Sequence, residues 1–226
     1  MSPPTATLAP VLDLILPLEC GGCGAPSTRW CDACATELSV GIDEPRVVNP
    51  RVDPQVPVFA LGRYVGARRQ AILALKEHGR GDLVPPLARA LAAGVHRLLV
   101  WGMVETPLTI VPAPTRRWAA RRRGGDPVAK FAELACVSLA AVAAHPDISV
   151  VRALRMRALA RDSVGLTTSA REHNVAGRVL LCNKLPRTEV VVVDDVVTTG
   201  ATARESVRVL QSAGARVAAV LTIAFA

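Results

Sequence analysis

Val190-Val191-Val192-Val193-Asp194-Asp195-Val196-Val197-Thr198-Thr199-Gly200-Ala201-Thr202 is the stretch around which this chain is organised. Four apolar residues in a row read as a strand buried on both faces, the habit of a central strand in a parallel sheet. The strand is expected to stop at the two carboxylates. A Thr-Thr-Gly-Ala-Thr turn follows, and Ala203 to Ser212 continue at helical spacing with Val207 and Leu210 on one face. Strand, acidic pair, hydroxyl-rich glycine turn and helix, in that order, point to an α/β fold.

Each part has a chemical use. The first amides of a helix lack intrahelical partners and sit at the positive end of its dipole, so a tight turn opening a helix is an anion site. Gly200 permits close backbone approach or positive φ, while Thr198, Thr199 and Thr202 offer hydroxyls to a ligand or a cap. Adjacent carboxylates at Asp194 and Asp195 can accept from vicinal hydroxyls or help hold a hydrated magnesium ion. A ligand with both a sugar diol and a phosphate satisfies the whole element. The plainer reading, a strand-turn-helix whose acids only cap the helix, leaves two acids and three threonines around one glycine without a use.

The rest of the chain bounds the setting. Its 226 residues suit one large domain, or a medium one with a small appendage, and half of them are apolar. A net charge of +8 with a pI near 9.8 favours anionic partners, phosphorylated metabolites and nucleic acid alike. Aromatics make up only 3% of the chain, which disfavours a single-strand platform built on base stacking. Leu8 to Leu18 is apolar, but no basic residue precedes it and Pro10, Asp13 and Pro17 interrupt it. Ala88 to Val104 contains Arg89, His96 and Arg97, as a packed helix would. The expectation is a cytoplasmic protein without membrane insertion.

Cys20, Cys23, Cys31 and Cys34 form C-x2-C-x7-C-x2-C. Two such knuckles can converge on one tetrahedral ion, with thiolates as structural zinc donors and no position left open for catalysis. Two disulfides do not suit a reducing compartment, and a tandem redox pair does not suit this context. Cys136 and Cys182, among apolar neighbours, read as buried structural thiols. Residues 1–40 are thus a zinc ribbon, 41–57 a Pro-rich extended linker, and 58–226 the main domain.

Within that domain Val58 to Val65 reads as a strand, Arg68 to Glu77 as a helix, and Leu87 to about Trp101 as a longer one. Lys76 fits two readings: a cation reaching a phosphate at a site mouth, and, the commoner case, a solvated helix end. His78 reads as a surface histidine. Leu108 to Val111 is a second buried strand ended by Pro112-Ala113-Pro114. Arg116, Arg117, Arg121, Arg122 and Arg123 then cluster at its C-terminal end, where ligands bind in open α/β sheets. Guanidinium forks there suit pyrophosphate; a solvated basic turn or a nucleic-acid patch is the alternative. A helix from Pro127 to about Ala144 and a third strand from Val150 to Leu154 come next. The polar run Arg155 to Val175 is too long for a plain connection and suits a lid. A last strand spans Val217 to Ile223.

The thirteen residues at Val190 to Thr202 resemble, without gaps, the phosphoribosyl pyrophosphate (PRPP) signature of the type I phosphoribosyltransferases. A four-cysteine ribbon after Leu-Pro-Leu, Lys76 in Leu-Lys, Val-Pro-Ala-Pro at a strand end, the arginine-rich turn, the Leu-Thr-x-x-x-Arg-x-x-Asn segment at 166–174 and that signature occur in one order. Together they resemble the ComF family over nearly the whole chain. The resemblance implies a mostly parallel central sheet flanked by helices, with Asp194 and Asp195 on the ribose hydroxyls and Thr198, Thr199, Gly200, Ala201 and Thr202 around the 5′-phosphate. It implies Arg121 and Arg123 in a pyrophosphate loop and Arg171 with Asn174 over the site. Asp194, Asp195 and Arg171 are the catalytic candidates, and Mg²⁺ accompanies PRPP. A base or amine of unidentified structure is the acceptor, and competence proteins or incoming single-stranded DNA are the implied partners. Thr198 stands where purine-salvage members carry an acid, Arg123-Gly124-Gly125-Asp126-Pro127 replaces the family's Arg-Gly-Phe-Asn-Gln, and Ser163 replaces a glutamine. Two functions follow as expectations: phosphoribosyl transfer with pyrophosphate release, or a non-catalytic module sensing PRPP or a nucleotide.

Overall fold

The computed structural model describes residues 18–115, 125–142, 147–157 and 175–226. Five α-helices lie among the described residues: α1 (Asp32–Leu38), α2 (Gly66–Glu77), α3 (Val84–Val100), α4 (Pro127–Val142) and α5 (Ala201–Ser212). The strands are β1 (Arg46–Val47), β2 (Val58–Ala60), β3 (Leu108–Pro112), β4 (Ile148–Val150), β5 (Leu154–Met156), β6 (Val179–Leu181), β7 (Glu189–Val197) and β8 (Arg216–Phe225). Six of them form one sheet in the order β1-β2-β8-β7-β3-β4, parallel except for the β1–β2 pair, while β5 and β6 make a separate antiparallel ribbon. The expected α/β fold, a mostly parallel sheet flanked by helices with a four-cysteine cluster at the N-terminal side, is the one observed.

Strand β7 is central because valine fills both of its faces. Successive side chains of a strand alternate: Val191 and Val193 enter the core under α2, α3 and α4, while Val190 and Val192 enter the core formed with α5 and the β5–β6 ribbon. All four are fully buried, each contributing on the order of 1.5–3 kcal/mol. The strand does not stop at the acids, as the sequence led us to expect. It runs on to Val197 because β8 keeps pairing with it, Asp194 opposite Thr222 and Val197 opposite Phe225. On its other edge β3 pairs only as far as Pro112 opposite Val193, the Ala113 N–H making the last bond to the Val193 carbonyl at 2.7 Å. Asp194 and Asp195 therefore stand where β7 has a neighbour on one side only.

Other boundaries also moved. Helix α3 begins before Leu87, its prolines lying in the first turn where an N–H is not needed. Gly81–Val100 is long and apolar enough to cross a bilayer by length and composition, and 56% of that window is buried in this fold. The strand expected at 150–154 is two strands, β4 on the sheet edge and β5 in the ribbon, separated by a tight turn in which the Ala153 N–H donates to the Val151 carbonyl at 2.8 Å. Strand β2 ends at Ala60, although Leu61 and Tyr64 still donate to Thr222 and Phe225 of β8. Cys182 is exposed and Cys136 half-buried, so neither is the buried thiol its apolar neighbours suggested; each donates to backbone carbonyls.

Candidate functional site

The acid pair sits at the C-terminal end of β7. Asp195, on the face of α2, receives the Lys76 ammonium: Nζ to Oδ2 is 2.7 Å, with side chains 28% and 10% exposed. Lys76 is thus a member of the site and not a solvated helix end. Burial alone would depress its pKa, but Asp195 and then Asp194 outweigh burial and raise it. Asp194 lies on the opposite face and accepts the Asp195 N–H at 2.8 Å. Its carboxyl is pushed up to about 8, first by loss of hydration in a crowded recess and then by the Asp195 charge, with Lys76 pulling the other way. Among the described residues the acid pair and Lys76 therefore bring two carboxyls and one cation together, with the Asp194 carboxyl held well above the usual carboxylate range.

The turn beyond the acids opens helix α5. Gly200 is the N-cap of α5 at φ 86° and has no side chain to cap with; the Ala201 N–H donates to the Thr199 hydroxyl at 3.4 Å, and the amides that follow open the helix with its dipole behind them. Thr198 is exposed and Thr199 and Thr202 half-buried. A small cavity of about 40 Å³ is lined by Asp194, Val197, Thr198, Thr199, Gly200 and Thr202.

The expected linker forms the back wall of this turn. Val52 donates its N–H to the Thr199 carbonyl at 2.8 Å, and Arg204 on α5 donates to the Asp53 carbonyl at 2.6 Å. A Cβ on Gly200 would strike the Val52 carbonyl oxygen and lie 2.7 and 2.9 Å from the Pro50 ring. Glycine is required there twice over, by dihedral and by space. Nothing in the composition of residues 41–57 signals this wall.

The arginine-rich turn and the polar run are bounded by described residues. Arg121 and Arg123 lie outside the described residues, as do Arg171, Asn174 and the rest of 116–124 and 158–174. The residues on either side of 116–124 are clipped together: Thr115 donates its hydroxyl to Asp126 Oδ1 at 2.9 Å, and the same oxygen accepts from Val128 and Ala129. Asp126 followed by Pro127 is therefore a helix start, legible as such from the cap-then-proline order. Asp126 is also close enough to raise Asp194 further. The ribbon carrying the second segment is tied to α5, Gly177 donating its N–H to the buried Glu205 at 2.8 Å.

A larger cavity, of about 840 Å³, lies at the other pole, between the N-terminal ends of β3, β7 and β8, lined among others by Lys184, Arg187, Glu189 and Arg216. Size alone would favour it. The paired acids, the cation and the open helix end converge instead at the C-terminal ends, where ligands of parallel sheets bind.

Cys20, Cys23, Cys31 and Cys34 bring their sulfurs within 4.8 Å of one another. The Cys20–Cys31 and Cys23–Cys31 sulfur separations are both 3.7 Å, too long for a disulfide and close to the edge of a tetrahedron whose centre lies about 2.3 Å from each sulfur. Burial, which raises the Cys20 thiol, is outweighed by backbone N–H groups of Cys23, Cys31 and Gly22, which bring it to about 6. Burial and the neighbouring thiols push Cys34 up. The donor set fits a metal ion of structural type. No family model matches this chain, and no curated protein matches it.

Proposed function

We propose that this protein binds PRPP with Mg²⁺ and transfers its phosphoribosyl group to a nitrogen acceptor, releasing pyrophosphate. One observation carries the reading: a paired acid, an ion-paired lysine and a helix N-terminus opened by a glycine N-cap meet at the end of one central parallel strand. The resemblance of Val190 to Thr202 to the PRPP signature, and of the chain to the ComF family, supports it. Asp194 and Asp195 would accept from the ribose diol, and Thr198, Thr199 and Thr202 with the α5 amides would hold the 5′-phosphate. Arg121, Arg123 and Arg171 would receive the pyrophosphate charge. Two carboxylates are hard oxygen donors, and Mg²⁺ when bound would neutralise charge on the pyrophosphate oxygens. Bonding is simple: the acceptor nitrogen joins C1′ as the C1′–oxygen bond breaks, the electron pair leaves with pyrophosphate, and the nitrogen's proton goes to water. The four thiols take zinc as a structural ion.

Thermal stability with PRPP, with and without Mg²⁺, tests the binding step on the native protein and on Asp194→Ala/Asp195→Ala. A rise present in the native protein and lost in the double variant is expected; equal rises in both would overturn the assignment of the acids. Pyrophosphate release with a panel of bases and amines tests turnover.

The turn at Asp126 favours a second reading. Its carboxylate is already engaged in capping α4, so the position serves the fold where the family carries an amide. On that reading the site senses PRPP without turnover, and the basic surface contacts single-stranded DNA or competence proteins. A gel shift with single-stranded DNA at rising salt, repeated after Arg121→Ala, Arg122→Ala and Arg123→Ala, decides: no binding at low salt counts against it.

A further inference from the structure

Helix α2 meets the cysteine ribbon with its first turn and the acid pair with its last. Its N-cap, Val65, has no capping side chain. The Ala67 N–H is taken instead by Glu37 Oε1 of α1 at 2.8 Å, and Gly66, at φ +52°, leaves the space that the Glu37 carboxylate fills. A side chain on Gly22 would meet both Cys34 Sγ and the Ala67 Cβ, the latter at 3.1 Å, so the metal-ligating knuckle packs directly on that turn. Arg68 of the same turn, 7% exposed, lies with its guanidinium against Gly62, and the charges of Glu44 and Glu37 act on it.

The other end of α2 is held in the same way. Arg80 donates its own N–H back to Ala74 of α2 at 3.2 Å. Its guanidinium donates to the ribbon carbonyls of Glu19 at 3.0 Å and Arg29 at 3.4 Å. A two-point pair with Asp82, at 2.9 and 2.7 Å, fixes the direction of that fork. By contrast, the side of α2 that meets the core offers Ala71, Ile72 and Leu75. Apolar contact of that kind is non-directional and tolerates sliding. A slip of one residue moves a helix by about 1.5 Å along its axis, enough to break a 2.7 Å contact.

We propose that the cysteine ribbon is the positioning element for Lys76: Glu37 and Arg80 set the axial register of α2, and through it the place of the ammonium on Asp195. The inference rests on the reading of the acid pair as a PRPP site for its functional consequence, and on geometry alone for the placement of Lys76. Glu37 and Arg80 are thus positioning residues that never touch the ligand.

The test uses the full chain with its metal content checked. Titration calorimetry of PRPP with Mg²⁺ is run on the native protein, Glu37→Ala, Glu37→Gln, Arg80→Gln, Lys76→Met and Glu37→Ala/Lys76→Met. In parallel, reductive methylation with mass spectrometry compares the reactivity of Lys76 with that of exposed Lys184 in the absence of ligand. Glu37→Ala and Arg80→Gln are expected to weaken PRPP binding about three- to tenfold and to raise Lys76 methylation severalfold. Glu37→Gln keeps an oxygen for Ala67 and stays within about twofold, and in the Lys76→Met background Glu37→Ala adds less than about twofold. Additive losses in that background, or unchanged Lys76 labelling in Glu37→Ala, overturn the proposal. If the native protein binds no PRPP, the site reading fails, while the labelling arm still decides the positioning.

Discussion

Replacing Asp194 by asparagine should stabilise the ligand-free protein at pH 8 while abolishing its response to PRPP. The carboxyl is raised from its ordinary 3.8 to about 8 by burial and by Asp195. A group whose folded value is raised favours the folded state below its unfolded value, and that contribution fades as pH rises toward the folded value. The window is therefore about pH 4 to 8, with stability of the native protein falling across it. A gap of about 4 between the two values corresponds to a ceiling of roughly 6 kcal/mol. Coupling to Asp195 and Lys76 and partial solvent access reduce this to about 2–3 kcal/mol, or on the order of 5–10 °C in Tm for a chain of this size. Asparagine keeps an oxygen for the Asp195 N–H, which now lies 2.8 Å from Asp194, so packing is conserved. Thermal melts of both proteins at pH 5 and pH 8 check it: the variant should lead by several degrees at pH 8 and by little at pH 5. A variant less stable at pH 8, or a gap that ignores pH, would refute the reasoning.

Three further expectations rest on the same geometry. Binding of PRPP with Mg²⁺ at pH 7 should release close to one proton as Asp194 ionises, read from calorimetry in two buffers of different ionisation enthalpy, and the release should vanish by about pH 9. Gly200→Ala should cost about 2–4 kcal/mol, since it combines a left-handed dihedral with a clash against Val52 and Pro50; a urea melt measures it, and Pro50→Gly/Gly200→Ala should recover part of the loss. Cys34→Ser should reduce metal content below one ion per chain by elemental analysis and lower Tm by several degrees, because Cys34 packs between the ribbon and α2.

Much of this was legible in one dimension, for identifiable reasons. The valine run at 190–193 and the cysteine spacing are local patterns that physics reads directly: two-sided burial requires two apolar faces, and a tetrahedron requires four donors. The Asp-Thr-Gly order likewise declares a strand end and a helix start. What escaped was decided by partners distant in sequence. Strand β7 outruns its acids because β8 continues beside it; Lys76 leaves solvent because α2 lies over Asp195; and Pro50 to Asp53 form a wall because Thr199 and Arg204 lie opposite. A proline-rich stretch carries no pattern that tells a free tether from a fitted one. Asp126 was half legible, its cap-and-proline order visible beside a family motif that drew attention elsewhere.

The contact between Val52 and Thr199 bears on how this chain can be divided. Composition invites a cut near Val58, separating a small metal-binding piece from a self-sufficient remainder. Such a cut would remove β1, free the Thr199 carbonyl and the Arg204 guanidinium, and open the back of Gly200 to water. The cysteine-bearing segment is in this sense part of the architecture of the glycine turn, and the two pieces make one folded unit.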